Sequence, residues 1–185
     1  NSEVSTAKIP ILPVNDAPSF SGSAADRQFN ENDEALILDR SAAIRDIDSV
    51  GLSQVTIELS NKQTNDKLLY ATNFWDETTP SGKIVLTSNS DQFGKTPSIF
   101  EQAIRNVKFI NESDSPNTAE TRLVKIQVKD KDPNASDQSD AKNKLSEILQ
   151  FNLTVSGKND APTVASIGNK SYKEDDGEEL ILDNA

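Results

Sequence analysis

Asp46-Ile47-Asp48 and Asp130-Lys131-Asp132 each place two carboxylates two residues apart, next to an apolar alternation that predicts a strand. In extended backbone, residues i and i+2 point to the same side. Two carboxylates held ~4 Å apart repel by ~4 kcal/mol at an effective dielectric of about 20. A chain keeps such a pair easily only with a cation or water between the charges. Ca2+, with a flexible shell of about six to eight oxygens, suits Asp and Asn ligands from several loops better than Mg2+ does. The bland alternative is that these acids cap turns on a solvated surface. The segment from Asp130 to Asn134 also begins like a helix–loop–helix calcium loop. That pattern fails where Ala135 replaces the turn glycine and Ala141 the closing glutamate.

The elements that must position these acids read as strands. Val55, Ile57 and Leu59 alternate with polar residues, as do Val124, Ile126 and Val128, and Leu149, Phe151, Leu153 and Val155. Shorter strands are predicted at Leu36–Leu38, Leu68–Ala71, Lys83–Thr87 and Val107–Ile110. Short strands separated by turn residues predict an all-β, antiparallel sandwich. One short helix is predicted over Ser98–Asn106, where Ser98 with Glu101 forms a capping-box pattern and Phe100, Ile104 and Val107 line one face. Asn111–Thr121 and Lys131–Leu145, rich in Asn, Asp and Ser, read as loops.

The chain also repeats itself. Asn15-Asp16-Ala17-Pro18 returns as Asn159-Asp160-Ala161-Pro162, and Leu36-Ile37-Leu38-Asp39 returns as Leu180-Ile181-Leu182-Asp183, both 144 residues later. Between them, Phe29-Asn30-Glu31 is answered by Tyr172-Lys173-Glu174. A period this long is a whole domain. The expected organisation is the tail and linker of one repeat (1–16), a complete repeat (17–160) and the start of the next (161–185). Proline in both linkers stiffens the chain and ends strand pairing.

Composition narrows the function. A net charge of −11 disfavours nucleic acid and anionic membrane as partners. The chain has no cysteine and no histidine, which excludes disulfides, thiolate metal sites and the commonest general base. No apolar run approaches the ~20 residues that span a bilayer, so membrane insertion is not expected.

The order of these pieces resembles a cadherin repeat. The closer match is the cadherin-like "VNDAP" repeat of very large bacterial calcium-dependent surface adhesins, which is also similar to the chondroitin-sulfate-proteoglycan repeat. Val14–Pro18, Ile44–Ser49, Ser98–Asn111, Ser113–Pro116, Arg122–Asp130, Phe151–Val155 and Asn159–Pro162 carry the likeness, over essentially the whole chain. The resemblance implies an antiparallel Greek-key β-sandwich of cadherin or immunoglobulin type, with Ca2+ at the junction between successive repeats. It implies that Asp46 and Asp48 face the late-strand Asp130, with Asn15 and Asp16 closing the site from the linker. At the other junction it implies Glu31 with Asn159 and Asp160. Leu12, Val14 and Gly157 stand where cadherins place further ligands, which implies one or two ions per junction rather than three. The function implied is a calcium-stiffened spacer, extracellular and on the cell surface, whose partners are the neighbouring repeats of the same chain.

A rival reading is a module that binds a glycan or a cell-surface protein. Asn73-Phe74-Trp75-Asp76-Glu77 holds the only tryptophan, and Trp75 beside acids and amides suits sugar stacking. Otherwise Phe74 and Trp75 cap the core. Catalysis is not expected: the acids sit at linkers and strand ends, and no serine has a histidine to activate it. Asn111, Asn134 and Asn152 head glycosylation sequons, used only where the source glycosylates.

Overall fold

Alternation of apolar and polar side chains decides the largest sheet, because a strand with period two can bury only one face. The computed structural model describes residues 6–10, 14–48, 51–70, 76–78, 82–88, 94–131, 144–162 and 174. Chain order is β1 (Ser19–Ser21), β2 (Arg27–Asn30), β3 (Leu36–Ile37), β4 (Ala43–Arg45), β5 (Leu52–Ser60), β6 (Asp66–Leu69), β7 (Asp76–Thr78) and β8 (Lys83–Thr87). Then follow α1 (Pro97–Arg105), β9 (Lys108–Asn111), β10 (Arg122–Asp130) and β11 (Leu149–Ser156). The protein is mostly β with one short helix. Among the described residues no helix is long and apolar enough to cross a membrane.

Six strands form one sheet in the order β2-β11-β10-β5-β8-β7, three form another in the order β3-β9-β6, and β1 pairs with β4 alone. The three long alternations lie where the sequence predicts them, in β5, β10 and β11, and their apolar residues are buried except Leu149, which is half-buried. The antiparallel expectation has one exception: β2 runs parallel to β11, with Leu153 opposite Arg27. The two larger sheets meet where Phe29 of β2 packs edge-on against Phe109 of β9, ring centroids 5.4 Å apart. The sequence pattern does not predict β1, β2, β4 or β7, each of three or four residues; Asp76 and Glu77, which read as part of a polar loop between two short strands, belong to β7. The strand expected at Leu68–Ala71 begins earlier, at Asp66.

Helix α1 starts one residue before its predicted position and buries Phe100, Ala103 and Ile104. Its capping box does not form. Thr96 is the N-cap and makes no side-chain cap bond, while Pro97 occupies the first turn, where a missing N–H costs nothing. Glu101 is used elsewhere: its Oε1 accepts the Ile44 N–H at 2.9 Å. The expected loop Asn111–Thr121 holds no helix or strand beyond Asn111, the last residue of β9. Most of the expected loop Lys131–Leu145, and Phe74 and Trp75, lie outside the described residues.

One buried polar feature is an ion pair. Arg122, at the start of β10, donates from Nε to Asp66 Oδ2 at 2.9 Å, and both side chains are fully buried. Asn111 Nδ2 reaches Asp66 Oδ1 at 2.7 Å, and the Gln63 N–H reaches Oδ2 at 2.7 Å. Arg122 Nη1 donates to the Asn117 and Glu120 carbonyls, each at 2.7 Å. The pair ties β10 of the large sheet to β6 and β9 of the smaller one.

Asp66→Ala leaves the guanidinium buried without its counter-charge and is expected to cost about 3–5 kcal/mol in urea denaturation. Lys67→Ala, which breaks the half-exposed pair with Glu112, is expected to cost under about 1 kcal/mol.

Candidate metal centre

Pairing of β1 with β4 places the first linker beside the Asp-x-Asp segment. Ser19 lies opposite Arg45, so the residues entering β1 and those leaving β4 emerge at the same end of the ribbon. There the Asp16 N–H donates to Asp48 Oδ2 at 2.7 Å. The two acids of Asp46-Ile47-Asp48 are not related by strand alternation, because β4 has already ended at Arg45. Instead Asp46 Oδ1 accepts the Asp48 N–H at 3.3 Å. This is the local side-chain-to-backbone bond that aspartate makes in turns, and it curls the backbone here.

Asp130 joins from the large sheet. β10 slips register between Lys129 and Asp130, so that Asp130 pairs with Leu52. A bulge of this kind re-aims a side chain at the end of a strand. The carboxylate is fully buried. Its Oδ2 accepts Asn15 Nδ2 at 2.7 Å, and its Oδ1 accepts the Lys144 N–H. Asn15 is itself buried, although it belongs to no strand or helix. The structure therefore links Asn15, Asp16, Asp46, Asp48 and Asp130 into one constellation.

The second predicted group lies at the opposite end of the sheet. The Glu31 N–H donates to the Ser156 carbonyl at 2.9 Å, and Glu31 Oε2 accepts the Lys158 N–H at 2.7 Å. Glu31 is buried against the second linker, while Asn159 and Asp160 stand exposed beyond it. Here the contact to the linker runs through a backbone amide that no motif signals. Trp75 and Asp132 lie outside the described residues.

Two oxygens bear on what these groups can hold. Asp48 Oδ1 and Glu31 Oε1 are buried with no hydrogen-bond partner among the described residues. A buried carboxylate oxygen with no donor is costly, and it calls for water or a cation. Among the described residues no three acidic side chains converge closely enough to chelate an ion by themselves. The Asn15 side chain, at 2.7 Å from Asp130, is the non-acidic oxygen donor beside them. The set is all oxygen, which fits a hard cation such as Ca2+ and not a thiolate- or imidazole-preferring metal.

Asn15→Ala removes a donor from the buried Asp130 carboxylate and is expected to cost about 1–3 kcal/mol in denaturant titration without divalent cations. Asp16→Ala keeps the backbone N–H that serves Asp48, so a change within about 0.5 kcal/mol is expected.

Comparison of the chain with family models, with curated proteins and with solved structures finds no match.

Proposed function

We propose that this chain is a calcium-binding repeat of a large extracellular surface adhesin, a cadherin-like Greek-key sandwich that acts as a stiffened spacer between neighbouring repeats. The observation that carries this reading is the constellation at the first linker. There Asn15 and Asp16 lie against Asp130 and Asp48, and the buried Asp48 Oδ1 has no hydrogen-bond partner among the described residues. The packing of Phe29 on Phe109 across the two larger sheets supports the sandwich.

Asp46, Asp48 and Asp130 would hold the ion from the body of the repeat, and Asn15 and Asp16 from the linker. Glu31, with Asn159 and Asp160, would contribute the equivalent set at the next junction. When bound, Ca2+ supplies the positive charge that offsets repulsion among these carboxylates. The linker residues already rest on the site through hydrogen bonds, so little further ordering is needed to close it. Freedom of the linker is what allows two domains to swing, and an ion that ties the linker to both neighbouring repeats would remove it. Extracellular modules of this kind bind calcium at ~10⁻⁴–10⁻³ M, so cytosolic concentrations would leave the site empty and extracellular ones would fill it.

Millimolar calcium, against excess chelator, is expected to stabilise the chain by about 1.4 kcal/mol per site at tenfold over the dissociation constant. For a domain of this size that is a rise of about 3–6 °C in the thermal midpoint. Magnesium is expected to give much less. The double variant Asp46→Asn, Asp48→Asn should lose the calcium-specific rise and remain folded. An unchanged rise in that variant would remove these residues from the site, and no rise in the parent chain would remove the calcium reading.

A further inference from the structure

Both halves of the candidate site at the first linker hang from one small element. The linker runs into β1 and the Asp-x-Asp segment runs out of β4, yet among the described residues these strands pair only with each other. Besides the buried Ile44 and the half-buried Phe20, α1 fastens the ribbon to the rest of the protein by packing directly on β4. Two helix side chains, one turn apart, take up the backbone of this segment. Glu101 Oε1 accepts the Ile44 N–H at 2.9 Å, and Arg105 Nη2 donates to the Ala42 carbonyl. Glu101 and Arg105 also approach each other at 3.5 Å. A donor and an acceptor that a further strand would satisfy are thus satisfied by a helix.

We infer that Glu101 and Arg105 are positioning residues for the cation site: they clamp the β1–β4 ribbon so that Asp46, Asp48, Asn15 and Asp16 meet Asp130, which is held separately at the end of β10. Ile44, whose N–H Glu101 accepts, lies two residues upstream of Asp46 along the backbone, and β4 is part of neither larger sheet among the described residues. Its role in calcium affinity rests on the calcium reading; its role in holding the constellation together does not. Glutamine at position 101 keeps an oxygen able to accept the Ile44 N–H, whereas alanine leaves that N–H without its partner.

The test uses the full chain in four forms: parent, Glu101→Ala, Glu101→Gln and Leu59→Ala. Leu59 is buried near the far end of β5, so its truncation weakens the fold away from the site. Amide hydrogen exchange at Asp16 and Asp48, measured in chelator, reports the constellation without any ion. Calorimetric titration with calcium chloride reports affinity. Glu101→Ala is expected to speed exchange at both amides, and to weaken calcium affinity, by about tenfold each, the scale of one lost charge-assisted hydrogen bond. Glu101→Gln should stay within about twofold of the parent in both. Leu59→Ala should lower the unfolding midpoint and leave both readouts alone. Arg105→Ala, which opens the other half of the clamp from a partly exposed side chain, should move both readouts in the direction of Glu101→Ala. Unchanged exchange in Glu101→Ala and Arg105→Ala, or failure of glutamine to restore it, would overturn the inference. A parent chain that takes up no calcium would end the calcium reading instead, while the exchange data still decide the clamp.

Discussion

Asp130 and Arg122 are buried charges at the two ends of a single nine-residue strand, and a buried charge must find its partners inside the protein. Arg122 finds Asp66 and two loop carbonyls, which locks the large sheet to the smaller one. Asp130 finds Asn15 from the segment before β1 and a backbone N–H, that of Lys144, from within the β10–β11 connection. Between them, Val124, Ile126 and Val128 face the core. A one-residue slip of β10 would turn those apolar side chains to solvent and move both charges off their partners. One register therefore serves the core, the sheet-to-sheet tie and the candidate site together. About eight residue steps at ~3.3 Å separate the two ends, roughly 26 Å.

The two ends differ in how they are built. The Arg122 end is closed: Asp66 is met by Arg122, Asn111 and the Gln63 N–H, so its oxygens are fully engaged. That is the arrangement in which a buried ion pair is structural, and removing either partner is what costs. At the Asp130 end the neighbouring Asp48 keeps one buried oxygen without a hydrogen-bond partner among the described residues. That end also recruits a linker that belongs to no sheet. Charge that is fully answered fixes a fold, and charge that is partly answered leaves room for a ligand.

Much of this was legible in the chain, and the limits have physical causes. β5, β10 and β11 carry three or more alternations each, enough for period two to stand out. β4 buries only Ile44 and β2 only Phe29 within the strand, and one apolar residue has no period. The parallel pairing of β2 with β11 joins residues 126 positions apart, which no local pattern encodes. Ser98 with Glu101 has the spacing of a capping box, but Pro97 shifts the helix start and the Ile44 N–H competes for the glutamate. At the site, Asn15, Asp16, Asp46, Asp48 and Asp130 were all named from the sequence and are all brought together. What spacing could not convey is that backbone amides do most of the joining. The N–H groups of Asp16, Lys144 and Lys158 carry no residue signature.

Both ends of the repeat present acids to their linkers, and the net charge is −11. In the proposed array, the Glu31 end of one unit would lie next to the Asp46–Asp48 end of its successor. Bare, such ends repel within a Debye length of about 8 Å in physiological salt, so a string of repeats would be extended but free to bend at each linker. Extension alone thus asks for no ion. Stiffness is a different property, because it requires the linker to be bound to both units at once. At the first linker the protein half of that attachment is in place, with Asn15 on Asp130 and Asp16 on Asp48. At the second, Lys158 on Glu31 plays the corresponding part from the other side. Each linker is accordingly held by the domain it adjoins, and repulsion between the acidic ends is the term left to overcome. A divalent cation bridging them is the simplest species that would reverse its sign, which is why the proposed role of calcium is to stiffen this chain and not to lengthen it.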